Sequence, residues 1–207
     1  MLGEMNIKDF LDETASSSPV PGGGSVAALS GALSAALTHM VANLTIGKKN
    51  YENVQGEFED IMAKTEELKD IFVEYIDKDS DSFNEVMKAF KLPKDTEEEK
   101  QARSNAIQEA TKYAALVPLE TARKAYAMMD YIKTAVEKGN KNAASDAAVA
   151  AMLCRTAVLS ALYNVKINLS SIKDIEFKES TALETDELEK NIKLKENEIL
   201  DYIASVL

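Results

Sequence analysis

The residues most suited to chemistry are the carboxylates of Asp77-Lys-Asp-Ser-Asp-Ser-Phe83. They fall within a run whose apolar residues, Ile61, Leu68, Phe72, Ile76, Phe83, Val86 and Phe90, recur at helical spacing. Asp79 lies in that stripe, three residues after Ile76 and four before Phe83, whereas Asp77 and Asp81 lie off it. A carboxylate on a buried helix face is costly unless it is paired or protonated. Burial raises its pKa, and this makes Asp79 a candidate general acid or base. The plainer alternatives are an Asp at the edge of the stripe or one bonded to a neighbouring helix.

A second set lies in the small-residue segment after Asn142. Asp146 and Asn164 are 18 positions apart, five whole turns, so they share a helix face about 27 Å long, with Asn142 and Asn168 to either side. That length suits an elongated ligand or two separate sites, and Asn142 and Asn168 could instead be helix caps. The turn Pro21-Gly-Gly-Gly-Ser25 offers consecutive amides that could hold an anion, or merely lets the chain turn tightly. No Lys-Ser/Thr follows the last glycine and the spacing is not GxGxxG, so neither nucleotide-binding loop is present. His39 is the only histidine and Cys154 the only cysteine. Neither can build a multi-ligand metal site, and both read as structural.

These groups need helices to hold them. The spacing predicts a short helix from Asn6 to about Ala15, and then a helix to about Ile46 capped by Ser25 and ended by Gly47. It predicts a long helix from about Asn53 to Phe90. Another follows, from a Thr96–Glu99 capping box to about Lys138, kinked or split at Pro118. Ala143 to about Asn168 and Thr185 to Val206 complete the set. No run alternates like a strand. The fold class is all-α, a multi-helix bundle with long helices in one domain over residues 1–207. Two helices rich in Ala, Ser and Gly allow close approach between helices or between subunits, so a homodimer or higher homo-oligomer is expected.

The formal net charge of -11 argues against nucleic acid and against an anionic membrane surface. Val26 to Ile46 carries no formal charge, but its small polar residues favour a buried helix over a membrane span. One cysteine and no basic, apolar leader at the start fit a cytoplasmic location.

In combination these segments resemble the formiminotetrahydrofolate cyclodeaminase family. The likeness is carried by Ser18-Pro-Val-Pro-Gly-Gly-Gly-Ser-Val-Ala-Ala-Leu29 and Met40-Val-Ala-Asn-Leu-Thr-Ile-Gly-Lys-Lys49, by Asp77 to Phe83 with Leu92-Pro-Lys94, and by Lys138-Gly-Asn140, Ser145-Asp146 and Tyr163-Asn-Val-Lys-Ile-Asn-Leu169. The resemblance implies an all-helical dimeric unit acting on a tetrahydrofolate derivative, with or without a polyglutamate tail, and needing no metal and no cofactor beyond that substrate. It implies cyclodeamination first, 5-formimino- to 5,10-methenyl-tetrahydrofolate with loss of ammonia, and methenyltetrahydrofolate cyclohydrolase activity second. A non-catalytic folate-binding or interaction dimer is the reading outside enzymes. On this view Asp79 is the base, with Asp77 the next choice. Gly22, Gly23, Gly24, Ser25, Lys48, Lys49, Asn142, Asp146, Asn164 and Asn168 then contact substrate, the lysines meeting its glutamate carboxylates.

Overall fold

The computed structural model describes residues 1–206. After a 3-10 turn at Leu2–Glu4 come six helices: α1 (Ile7–Thr14), α2 (Gly23–Thr45), α3 (Gln55–Phe90), α4 (Glu97–Lys138), α5 (Ala144–Leu169) and α6 (Ile175–Val206). No strand is present among the described residues. The fold is the all-α bundle expected.

Local signals explain most helix ends. Asn6 caps α1 by accepting from the Asp9 amide, and Thr96 and Glu99 close the capping box of α4. Three expectations need correction. Ser25 does not cap α2: the cap is Gly22, which has no side chain to offer, and Ser25 lies inside the first turn. Pro118 does not split α4 into two elements, since the helix runs unbroken through it. α6 begins at Ile175, ten residues before the expected start, because Asp174 accepts from the Phe177 amide and anchors the first turn.

α2 and α5 form the middle of the bundle, antiparallel, with α3 beside α2, α6 beside α5, and α4 packed across both. The antiparallel register is fixed by Gly23 against Asn164 at one end, Ser34 Oγ donating to the Ala150 carbonyl at 2.7 Å, and the Asn140 amide donating to Thr45 Oγ1 at 2.9 Å at the other. The contact faces are built from alanine: Ala27, Ala35 and Ala42 on α2 and Ala147, Ala150, Ala151 and Ala157 on α5 are buried. Larger side chains, among them Phe58, Phe72, Met128, Met129, Ile132 and Leu162, fill the spaces between layers. By length and composition α2 and α5 could cross a membrane, but half or more of each apolar window is buried inside the bundle, as in the core helices of a folded domain.

His39 and Cys154 belong to this packing. His39 Nδ1 lies 3.1 Å from the Met62 carbonyl, so it ties α2 to α3. Cys154 is fully buried and its thiol donates to the Ala125 carbonyl; burial pushes its pKa well up, so it stays protonated.

Candidate functional site

The start of α2 creates a demand that α3 satisfies. The first amides of a helix have no partner within it, and Gly22 supplies no capping side chain. Asp79 reaches across from α3. Its Oδ2 lies 3.1 Å from Ser25 Oγ, and its carboxylate also accepts from the Ser25 amide. Ser25 Oγ sits 2.9 Å from the Ile76 carbonyl and 3.2 Å from Ser80 Oγ, so one hydroxyl joins three groups of α3. The approach is possible because residue 24 is glycine: a Cβ there would lie 2.5 Å from Asp79 Cγ and 2.7 Å from Oδ2. Asp79 therefore caps α2 from a neighbouring helix, and the positive end of α2 favours its negative charge.

The other side of the carboxylate faces a cleft of about 330 Å³. Gly22, Gly23 and Asp79 form one wall, Phe83 and Val86 of α3 an apolar wall, and Asn164 and Asn168 of α5 the third. Burial pushes the Asp79 pKa above the usual carboxylate value, and the Ser25 hydroxyl and amide oppose that shift without cancelling it. The two asparagines have a common arrangement. Asn164 Nδ2 donates to the Ser160 carbonyl, and Asn168 Nδ2 donates to the Ala114 and Asn164 carbonyls. Asn168 thus spends both of its N–H groups on backbone and Asn164 one of its two, and both side-chain oxygens remain as acceptors. The cleft offers a carboxylate, two amide oxygens and a phenyl face, a set suited to a flat heterocycle rich in N–H donors. Among the described residues, no three His, Cys, Asp or Glu side chains gather to hold a metal ion.

The expected site residues divide into three groups. Gly22, Gly23, Gly24, Ser25, Asp79, Asn164 and Asn168 come together at this end of the bundle. Asp77 does not join them: its carboxylate points to the N-terminal segment and accepts from the Leu2 amide at 2.6 Å and the Gly3 amide at 3.1 Å. That contact occupies it in holding the 3-10 turn and removes it as second choice for the base. Lys48, Lys49, Asn142 and Asp146 lie at the opposite end of the antiparallel α2–α5 pair, beyond Thr45 and beside the Asn140 turn. At 1.5 Å per residue that is about 35 Å along α2, so within one chain they cannot share a compact ligand with Asp79. The sequence reading did not identify Ser82, which is buried beside Asp79 and donates to its carbonyl, or Ala114, which α4 contributes to the cleft. Phe83 and Val86 were visible only as part of the apolar stripe.

A bundle that presents this cleft between a glycine turn and an acidic helix has known counterparts. The family model for formiminotransferase-cyclodeaminase matches residues 6–187. Methenyltetrahydrofolate cyclohydrolase from Methylorubrum extorquens is 44% identical over 188 residues, covering 91% of this chain and 90% of its own. Formimidoyltransferase-cyclodeaminase from Gallus gallus is 36% identical over 84% of this chain, which spans 32% of that longer protein. The crystal structure of formiminotetrahydrofolate cyclodeaminase from Thermotoga maritima superimposes with a TM-score of 0.90 at 34% identity, covering 100% of this chain and 99% of its own. The chain belongs to the formiminotransferase-cyclodeaminase family, a family of folate one-carbon enzymes.

Proposed function

We propose that this protein is a methenyltetrahydrofolate cyclohydrolase in which Asp79 acts as the general base. The observation that carries the reading is the Asp79 carboxylate, half-buried, raised in pKa, and open on one side to a cleft lined by amide oxygens and a phenyl ring. The relative of matching length at 44% identity carries the cyclohydrolase name, and this favours hydrolysis over deamination as the first reading.

The chemistry follows from the groups present. The pterin ring lies against Phe83, and its ring and amino N–H groups donate to Asn164 and Asn168. The methenyl carbon between N5 and N10 is an amidinium carbon. Water attacks it while Asp79 takes a proton from that water, giving a neutral tetrahedral adduct. Asp79 returns the proton to N5 as the C–N5 bond breaks, and the formyl group left on N10 loses its hydroxyl proton to solvent. The balance is methenyl cation plus water to 10-formyl product plus one proton. A base held in this position supplies about 10²–10⁴-fold of rate.

Cyclodeamination is the second reading, supported by the Thermotoga maritima structure that matches the whole chain. There N10 attacks the protonated formimino carbon, Asp79 removes the N10 proton and passes it to the departing nitrogen, and ammonia leaves. The same carboxylate would serve both reactions. Absorbance of methenyl-folate separates them. Its decay faster than the spontaneous hydrolysis supports the hydrolase, and its appearance from formimino-folate with ammonia release supports the deaminase. Turnover of neither substrate, with folate binding retained, would leave the non-catalytic binding dimer.

A further inference from the structure

Resting on the folate reading above, the substrate has a tail as well as a pterin. A folate ends in a glutamate with two carboxylates, yet among the described residues none that lines the cleft is cationic. The cleft opens instead onto an overhang. α2 begins and α5 ends at the level of Asp79 and Ala114, where Gly24 meets Asp79 and Asn168 Nδ2 donates to the Ala114 carbonyl. α3 runs eleven residues past Asp79 to Phe90, and α4 returns from Glu97. The two helices therefore form a hairpin that projects about 17 Å beyond the cleft.

The hairpin continues the walls of the cleft. Phe83, Val86 and Phe90 follow Asp79 by four, seven and eleven positions and share its face of α3. On α4, Arg103 stands eleven positions before Ala114, three turns and about 20° away, so it shares the face that Ala114 turns to the cleft. These two far positions meet. Arg103 Nε and Nη2 donate to the Phe90 carbonyl at 3.2 Å and 3.0 Å, and the guanidinium lies 5.5 Å from the centre of the Phe90 ring. Those bonds take two of its five N–H groups and fix its orientation. No carboxylate pairs with Arg103 among the described residues, and Glu99, one turn earlier on α4, is occupied by the Asp95 and Thr96 amides. Met87 and Phe90 are 41% and 48% exposed, so the path from the cleft to Arg103 is apolar and open. Lys91 and Lys94, exposed at the tip of the hairpin, also lack ion pairs among the described residues and add to the positive potential there.

We propose that Arg103 binds a glutamate carboxylate of the folate tail, with the aminobenzoyl ring laid along Val86 and Phe90 between it and the pterin in the Asp79 cleft. An extended folate reaches about this far from its pterin to its glutamate. The planar guanidinium matches a carboxylate in geometry as well as charge, which a lysine does not. The contact is remote from the methenyl carbon and equal in ground and transition states, so it acts on substrate binding and not on the chemical step.

Two substrates and two variants test the subsite. One substrate is 5,10-methenyl-tetrahydrofolate. The other is the 5,10-methenyl derivative of a tetrahydropteroyl methylamide, which keeps the rings and has no carboxylate. Arg103→Gln should raise KM for the folate about tenfold or more, from the lost charge-assisted pair, with kcat little changed and with KM for the methylamide unchanged. Arg103→Lys keeps the charge without the fork and should recover part of the loss. A rise in KM for both compounds alike overturns the proposal, because it marks a structural role for the Arg103–Phe90 contact. Unchanged KM for both overturns it too. A second measurement does not depend on turnover. Equilibrium titration of wild type should show tighter binding of the folate than of the methylamide, and Arg103→Gln should abolish that preference; a wild type without the preference overturns the subsite. Wild type that turns over neither compound, yet shows the preference and loses it in Arg103→Gln, defeats the catalytic reading and leaves the tail subsite standing.

Discussion

Asp79 occupies the space that a side chain at residue 24 would need: a Cβ on Gly24 would lie 2.5 Å from Asp79 Cγ. The glycine turn and the acidic helix are therefore one structure. The first turn of α2 is left without side-chain caps so that a carboxylate from α3 can take their place and still face the cleft.

Gly24→Ala tests that relationship. Alanine normally stabilises a helix over glycine by roughly 0.5–1 kcal/mol. Here the added methyl displaces the carboxylate and breaks its contacts with Ser25, so we expect a lower melting temperature and a loss of kcat of about 100-fold or more. Gly23→Ala is the control. Its Cβ meets Asn164 Nδ2 at 3.2 Å, a contact relieved by a small shift of that side chain, so the effect falls on KM and stays within about tenfold. Steady-state kinetics and thermal melts of the two variants check both expectations.

Asp79→Asn should lower kcat by about 10²–10⁴-fold with folate binding largely retained, measured by equilibrium titration. The same change should raise stability at neutral pH. Burial raises the folded-state pKa of Asp79 above its unfolded value, so its favourable contribution is complete below the usual carboxylate range and is lost as pH rises through the folded pKa. The asparagine variant escapes that loss. Its melting temperature should exceed wild type by about 2–4 °C per kcal/mol recovered at neutral pH, with the difference shrinking towards pH 4.

The pH dependence of kcat should show an acid limb set by Asp79. The base must be ionised to accept a proton, so rate falls as pH drops through its pKa. The midpoint should lie above the value of about 3.9 for a free Asp. Ser25→Ala removes a hydrogen bond that favours the charged form, and should move the midpoint further up.

Asp77→Ala should leave turnover within about twofold of wild type, because this carboxylate holds the Leu2 and Gly3 amides and does not face the cleft. Losing those bonds should cost about 1 kcal/mol and speed amide exchange at residues 2–4. A loss of activity as large as that of Asp79→Asn would return Asp77 to the chemistry.

Cys154 should be inert to thiol reagents in the native protein and fully reactive once unfolded. It has no exposed surface, and burial keeps the thiol protonated. Titration with a disulfide reagent before and after adding denaturant checks this.

By itself the sequence determined what depends on neighbours along the chain. Helical periodicity, the Thr96–Glu99 box and the absence of alternating segments established an all-α bundle, and the position of Asp79 between Ile76 and Phe83 marked it as a carboxylate on an apolar face. Local rules failed where a partner distant in the chain decided the outcome. Ser25 looks like a cap, but Asp79, 54 residues away, fills that role, and so Ser25 turns inward to α3. Pro118 looks like a break, yet packing of α4 against α2 and α5 carries the helix through it. Asp77 and Asp79 differ by two residues, or about 200° around a helix. One therefore meets the chain's N-terminal segment and the other the cleft, and no spacing rule says which elements will stand there. Only the antiparallel packing of α2 on α5 brought Asn164 and Asn168 to the glycine turn and carried Lys48, Lys49, Asn142 and Asp146 to the far end. Helix direction is a property of the assembled bundle, because a residue's own stretch of sequence determines its face and not the neighbour that face will meet.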